Sequence, residues 1–75
     1  MTKEELSALQ PGDKVKKLCG IVRNNGRRIY CDAEIIYVTE GISDCTHVVR
    51  ADIKYQQDDR EIIMYAVPAY ELELV

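Results

Sequence analysis

Three cysteines and one histidine are the residues of this 75-residue chain that could do covalent or metal chemistry. Cys45-Thr46-His47 is the densest arrangement of them. On a strand, positions two apart share a side, so a thiolate and an imidazole there could join Cys19 or Cys31 around a metal ion. The spacing argues against this, because the chain lacks the close Cys pairs of structural zinc modules. Nucleophilic work by a Cys activated by His47 needs an orienting group and an oxyanion site, and no residue pattern marks either. No catalytic residue, no metal and no cofactor is therefore expected, and the chain reads as non-enzymatic. An odd number of cysteines at irregular spacing also argues against a disulfide framework, which leaves them as small buried hydrophobes.

A second set of residues could do electrostatic work. Lys14, Lys16, Arg23, Arg27 and Arg28 could contact a ligand or phosphates, with Tyr30 as a stacking platform. Asn24-Asn25-Gly26 is a tight-turn signal, since Asn and Gly tolerate positive φ, and it crowds Arg23, Arg27 and Arg28 at one hairpin tip. The net charge of −3 hides an asymmetry. The first thirty residues carry seven basic and three acidic side chains, and the remainder carry three and ten. The overall acidity makes nucleotide or nucleic-acid binding at the tip the alternative rather than the leading reading, because net basic character is the usual footprint of nucleic-acid binding. The acidic half could equally face a basic protein.

These side chains need elements to hold them. Arg28 to Thr39 contains neither Gly nor Pro. Its odd positions Ile29, Cys31, Ala33, Ile35 and Tyr37 make an apolar stripe at period two, the spacing of one strand face. Ile36 and Val38 on the other face predict a strand half-covered at its start and covered on both sides at its end. Before it, Thr2 to Glu5 fits a capping box opening a short helix that ends near Gln10 and plugs the sheet, with Leu6 and Leu9 on one side. Asp13–Val22 reads as a strand with Val15, Cys19 and Ile21 inward. Lys17 among them points to an edge position or a bulge near Gly20. Glu40 to Asp44 reads as a turn, Thr46–Tyr55 as a strand with alternating charges outward, and Gln56 to Asp59 as a second turn. The apolar run Ile62–Val67 implies that both faces are covered or that one face meets a partner. Ile62, Met64 and Tyr65 are the candidate partner or oligomer interface there. Pro68 breaks the ladder, and Tyr70, Leu72 and Leu74 form a short closing strand.

Leu9-Gln-Pro-Gly-Asp-Lys-Val15 and Val67-Pro-Ala-Tyr-Glu-Leu-Glu-Leu74 resemble the opening and the close of Src-homology-3-like small barrels. The resemblance spans most of the chain and is structural. It implies an all-β, five-stranded antiparallel barrel with a short N-terminal helix and one helical turn before the last strand. Short stand-alone proteins of this look are frequent in phages and mobile elements. Peptide-binding members use an aromatic groove that includes Trp; with no Trp here, proline-rich peptides are not expected as ligands.

The expectation is one domain over residues 1–75, a non-enzymatic phage or mobile-element accessory module. It would bind a host protein partner or self-associate, with a small anionic ligand held at the tip or at an oligomer interface as the alternative. No apolar run nears the roughly 18 residues of a membrane span, and the N-terminus lacks a signal-peptide core. No membrane contact and a cytoplasmic location are expected.

Overall fold

The chain opens with the capping box that its sequence announces. In the computed structural model, which describes residues 1–75, Thr2 caps helix α1 (Lys3–Ser7). The Thr2 hydroxyl accepts from the Glu5 amide at 3.1 Å, and the Glu5 carboxylate accepts from the Thr2 amide at 2.8 Å. Two otherwise orphaned donors are thereby satisfied. The helix stops at Ser7, short of the expected Gln10. Leu6 is fully buried and Leu9 packs beside it.

Five strands follow: β1 (Lys14–Ile21), β2 (Arg28–Ser43), β3 (Thr46–Gln57), β4 (Arg60–Pro68) and β5 (Leu72–Leu74), with a single 3-10 turn, Ala69–Glu71, before the last. They form one antiparallel sheet in the order β4-β3-β2-β1-β5. The fold is all-β, with one short helix. No helix is long and apolar enough to cross a membrane.

Two hairpins close through two-residue turns. Asp44 and Cys45 both have positive φ, 51° and 63°, as do Asp58 and Asp59, 51° and 62°. This is the type I′ geometry that matches strand twist. The first turn corrects the expected one at Glu40–Asp44: β2 runs on through Gly41 and Ile42 to Ser43, because Asp tolerates the left-handed region better than most residues. The β1–β2 loop is longer. The Val22 amide donates to the Arg27 carbonyl at 2.7 Å and the Gly26 amide to the Val22 carbonyl at 2.9 Å. Gly26, at φ 68°, supplies the left-handed residue.

Three register shifts break the period of two. On β1 the pairing with β2 slips between Leu18 and Gly20, so Cys19 is the extra residue. The bulge expected near Gly20 is present, and the residues beyond it change sides: Cys19 and Ile21 are exposed, not inward. On β2 the shift lies between Ile35 and Tyr37, so Tyr37 turns out to solvent and Val38 packs on the core. On β4 it lies between the partners of Ala51 and Ile53. The core is the inward row in the middle of the strands: Val15, Ala33, Ile35, Val49, Ala51, Ile53, Val67 and Leu72, capped by Leu6. Both ends of β2 are exposed, which reverses the expectation that its far end is covered on both faces. Of the run Ile62–Val67 only Val67 is buried; Ile62 and Met64 are half-buried, and Tyr65 is 74% exposed.

The cysteines also depart from expectation. Cys19 and Cys31 form a disulfide between β1 and β2, with Cα atoms 6.1 Å apart, and Cys45 is free and exposed. Neither disulfide partner is a buried hydrophobe. Lys17 is 8% exposed although β1 is not an edge strand. Its Nζ donates to the Leu18 carbonyl at 2.7 Å and lies 5.7 Å from the Tyr55 ring centroid, so the stem is covered while the charge keeps partners.

Three measurements check these features. Cys45→Gly removes a side chain from a left-handed position that costs about 1 kcal/mol or more for most L-residues. The thermal midpoint should rise by about 4 °C or more, as read by circular dichroism; a fall would contradict the turn geometry. A thiol assay on denatured, unreduced protein should find Cys45 alone, and all three cysteines after reduction. Replacing Cys19 and Cys31 together by Ser should cost about 3 kcal/mol of stability, the entropy of opening a loop of this size.

Candidate functional site

Strand register assigns the lysines before any ligand can use them. Lys14 stands opposite Glu34, and Lys16 opposite Asp32. Lys14 pairs with Glu34, Lys16 with Asp32 at 2.8 Å, and Lys54 with Glu34 at 3.3 Å. On the far side of β1, Glu73 stands opposite Lys16, and the Tyr30 hydroxyl donates to its carboxylate at 3.0 Å. The outer face is thus a lattice of alternating charge running across the strands.

These contacts hold the Glu34 carboxyl below its ordinary value, first through the hydrogen bond from Lys14 and then through that from Lys54. The hydrogen bond from Lys16 does the same for Asp32. At Glu5 the hydrogen bond from the Thr2 backbone is the first cause of a like shift.

The arginines behave differently. None of Arg23, Arg27, Arg28, Arg50 and Arg60 has a carboxylate within 4.0 Å. Three of them sit at the β1–β2 tip, Arg23 and Arg27 on the loop and Arg28 at the start of β2, where it faces the apolar Ile21. The tip itself is held firmly: the Arg27 amide donates to Asn25 Oδ1 at 2.9 Å, and the Cys19–Cys31 disulfide staples the two strands below it.

Beside the tip lies an open concavity of about 580 Å³ lined by Lys16, Val22, Arg27, Arg28, Ile29 and Tyr30. Four of the six candidate contact residues meet there. Arg23 is on the same loop but outside the lining, and Lys14 lies at the other end of β1. Lys14 instead lines a larger concavity of about 690 Å³ with Asp32, Glu34, Lys54 and Glu61. Its cations are already matched by carboxylates, so the larger hollow offers an anion little. The smaller one holds two guanidinium groups with no acidic partner.

Cys45 and His47 do not share a site. Cys45 occupies the turn, and His47 Nε2 lies 3.2 Å from Glu40. No group of three or more His, Cys, Asp or Glu side chains is placed to hold a metal ion. Sequence reasoning missed the disulfide, although a signal existed: Cys19 and Cys31 stand symmetrically about Asn25, the middle of the turn.

The depressed carboxyls set the sign of the pH response. Their stabilisation is fully present above the ordinary carboxylate range and is lost as pH falls through the lower folded-state values. The thermal midpoint should hold steady above about pH 5 and decline below about pH 4. Glu34→Gln should make that decline shallower; an unchanged acid profile would show that the pairing is not formed. Comparison of the chain with protein-family models, with curated proteins and with solved structures finds no match to any of them.

Proposed function

We propose that this protein is a non-enzymatic binding module whose arginine-bearing β1–β2 tip docks on an acidic surface of a protein partner. One observation carries the reading: Arg23, Arg27 and Arg28 gather on one rigid tip with no carboxylate within reach, while Lys14, Lys16 and Lys54 are paired. A guanidinium keeps its charge and presents a planar fork of donors to a carboxylate. Placed on a braced turn, it loses little freedom on binding.

The architecture proposed for the module is a small barrel of the Src-homology-3-like kind. Its support is the strand order, in which β5 lies beside β1 after a 3-10 turn, and the bends that bulges introduce into β2 and β4. A phage or mobile-element accessory role for such a small module, acting on a host protein in the cytoplasm, is part of the same proposal. The absence of an enclosed cleft with a nucleophile and base in contact favours binding over catalysis.

The second reading is a nucleotide or nucleic acid at the same tip, and Tyr30 in the lining favours it. Tyr30 is the only aromatic ring in the lining, however, and its hydroxyl is tied to Glu73, so a base finds a single, tethered stacking platform. The acidic protein surface is therefore preferred.

Titrations followed by backbone amide NMR test the choice. A hexaglutamate peptide should shift the resonances of residues 23–29, and added salt should weaken the effect. Arg27→Ala with Arg28→Ala should reduce affinity by about tenfold or more, since charge-assisted hydrogen bonds are worth about 1.5–3 kcal/mol each. Stronger shifts with ATP or a short DNA duplex, centred on the Tyr30 ring, would transfer the site to the second reading. No response to any of the three would overturn both.

A further inference from the structure

The free edge of β4 lies away from the arginine tip and carries an independent inference. Gln57 and Arg60 close a two-residue turn, and the pair that closes such a turn exchanges both of its hydrogen bonds. Alternation then leaves the backbone N–H and C=O groups of Glu61, Ile63 and Tyr65 pointing out from the sheet. β4 is terminal in the strand order, so nothing in the fold takes those groups. The same positions point their side chains away from the core, with Ile63 46% and Tyr65 74% exposed. Natural sheets usually blunt such an edge with a central charge, Pro or an early bulge. Here these devices stand only at the ends. The Asp58–Asp59 turn bounds one end, and Ala66, at φ 54°, with Pro68 bounds the other.

We infer that this edge pairs with the β4 edge of a second copy of the chain, antiparallel about a two-fold axis through Ile63. The segment is most fully self-complementary in that register. Ile63 meets its own copy, Glu61 meets Tyr65, and on the inner side Ile62 meets Met64. The three outward-pointing residues form three hydrogen-bonded pairs, each exchanging two backbone bonds. Moving the axis to Ile62 sets Glu61 against Ile63 and runs Tyr65 into the Asp58–Asp59 turn. Moving it to Met64 sets Glu61 beyond the Ala66 bulge. Either shift leaves two sound pairs instead of three. The chosen register also carries each Asp58–Asp59 turn toward the far end of the other copy's β4. There Arg50, opposite Pro68, has no acidic group within 4.0 Å. A two-fold interface requires such self-matching, whereas an unrelated extended peptide would not.

Sedimentation and cross-linking test it. The native chain should show mass increasing toward a dimer with concentration, and Ile63→Lys should weaken that association by about tenfold or more without altering its circular dichroism. Facing residues in a hydrogen-bonded pair lie about 5.5 Å apart at Cα, a distance suited to a disulfide. In a Cys45→Ser background, Ile63→Cys should therefore oxidise to a covalent dimer, while Ile42→Cys, more exposed but on a distant ribbon, should remain monomeric. Monomeric mass up to about 0.5 mM, equal cross-linking of the two variants, or a dimer that survives Ile63→Lys would each overturn the inference. So would a monomer whose β4 amides respond only to added foreign peptide.

Discussion

The Ala66 amide donates to the Asp52 carboxylate at 2.9 Å, and the shape of the sheet depends on that bond. Asp52 is the single β3 residue between Ala51 and Ile53, and on β4 two residues, Tyr65 and Ala66, stand against it. On its other side β2 also slips between Ile35 and Tyr37, beside the same residue. A bulge bends its strand and raises the local twist. Two of them flanking one rung bend the sheet there, and a single core cluster takes side chains from all five strands. Ala66 is held at φ 54°, a region that an alanine avoids unless its surroundings impose it. The Asp52 carboxylate supplies that imposition by giving the displaced amide an acceptor.

The core gathered by this bend is small, nine side chains without a Phe or Trp. A chain of this length buries only about 60% of its unfolded surface, so links outside the core matter. The Cys19–Cys31 disulfide joins β1 to β2 at the bulge, where the ladder is weakest. The Met1 ammonium donates to the carbonyls of Ala69 and Leu72, tying the entrance of α1 to the last strand. Lys17 belongs with these links. Its stem lies in the inward row opposite Cys31 and Leu72, filling space that the apolar residues leave.

Charge is divided by backbone geometry. Lys14, Lys16 and Lys54 stand opposite carboxylates on neighbouring strands and are neutralised pairwise. The arginines, on the tip loop, at the starts of β2 and β4 and within β3 at Arg50, find no such partner. An acidic chain can therefore present a locally cationic tip, and a field of that kind steers encounters with acidic surfaces. The rigid tip and the bare edge of β4 lie on different elements, so a partner at one leaves the other open.

Much of the fold was legible in the order of residues. Thr2 with Glu5, Asn24-Asn25-Gly26, the alternation of Thr46–Tyr55 and the break at Pro68 each act through neighbours in the chain, and each did what its local chemistry required. Their strand number and the short helix followed. The sides taken by Cys19, Ile21, Tyr37 and Val38 did not follow, because one inserted residue reverses every side chain beyond it, and the insertions answer to partners on other strands. The fate of the lysines escaped for the same reason: Lys14 and Lys16 became unavailable only when pairing brought Glu34 and Asp32 against them. The sequence by itself determined which segments are extended and, except at Glu40–Asp44, where they turn, since those are short-range steric matters. The tertiary structure alone decided which faces are inward, which charges remain free and which edge is bare, since those depend on register between segments distant in the chain.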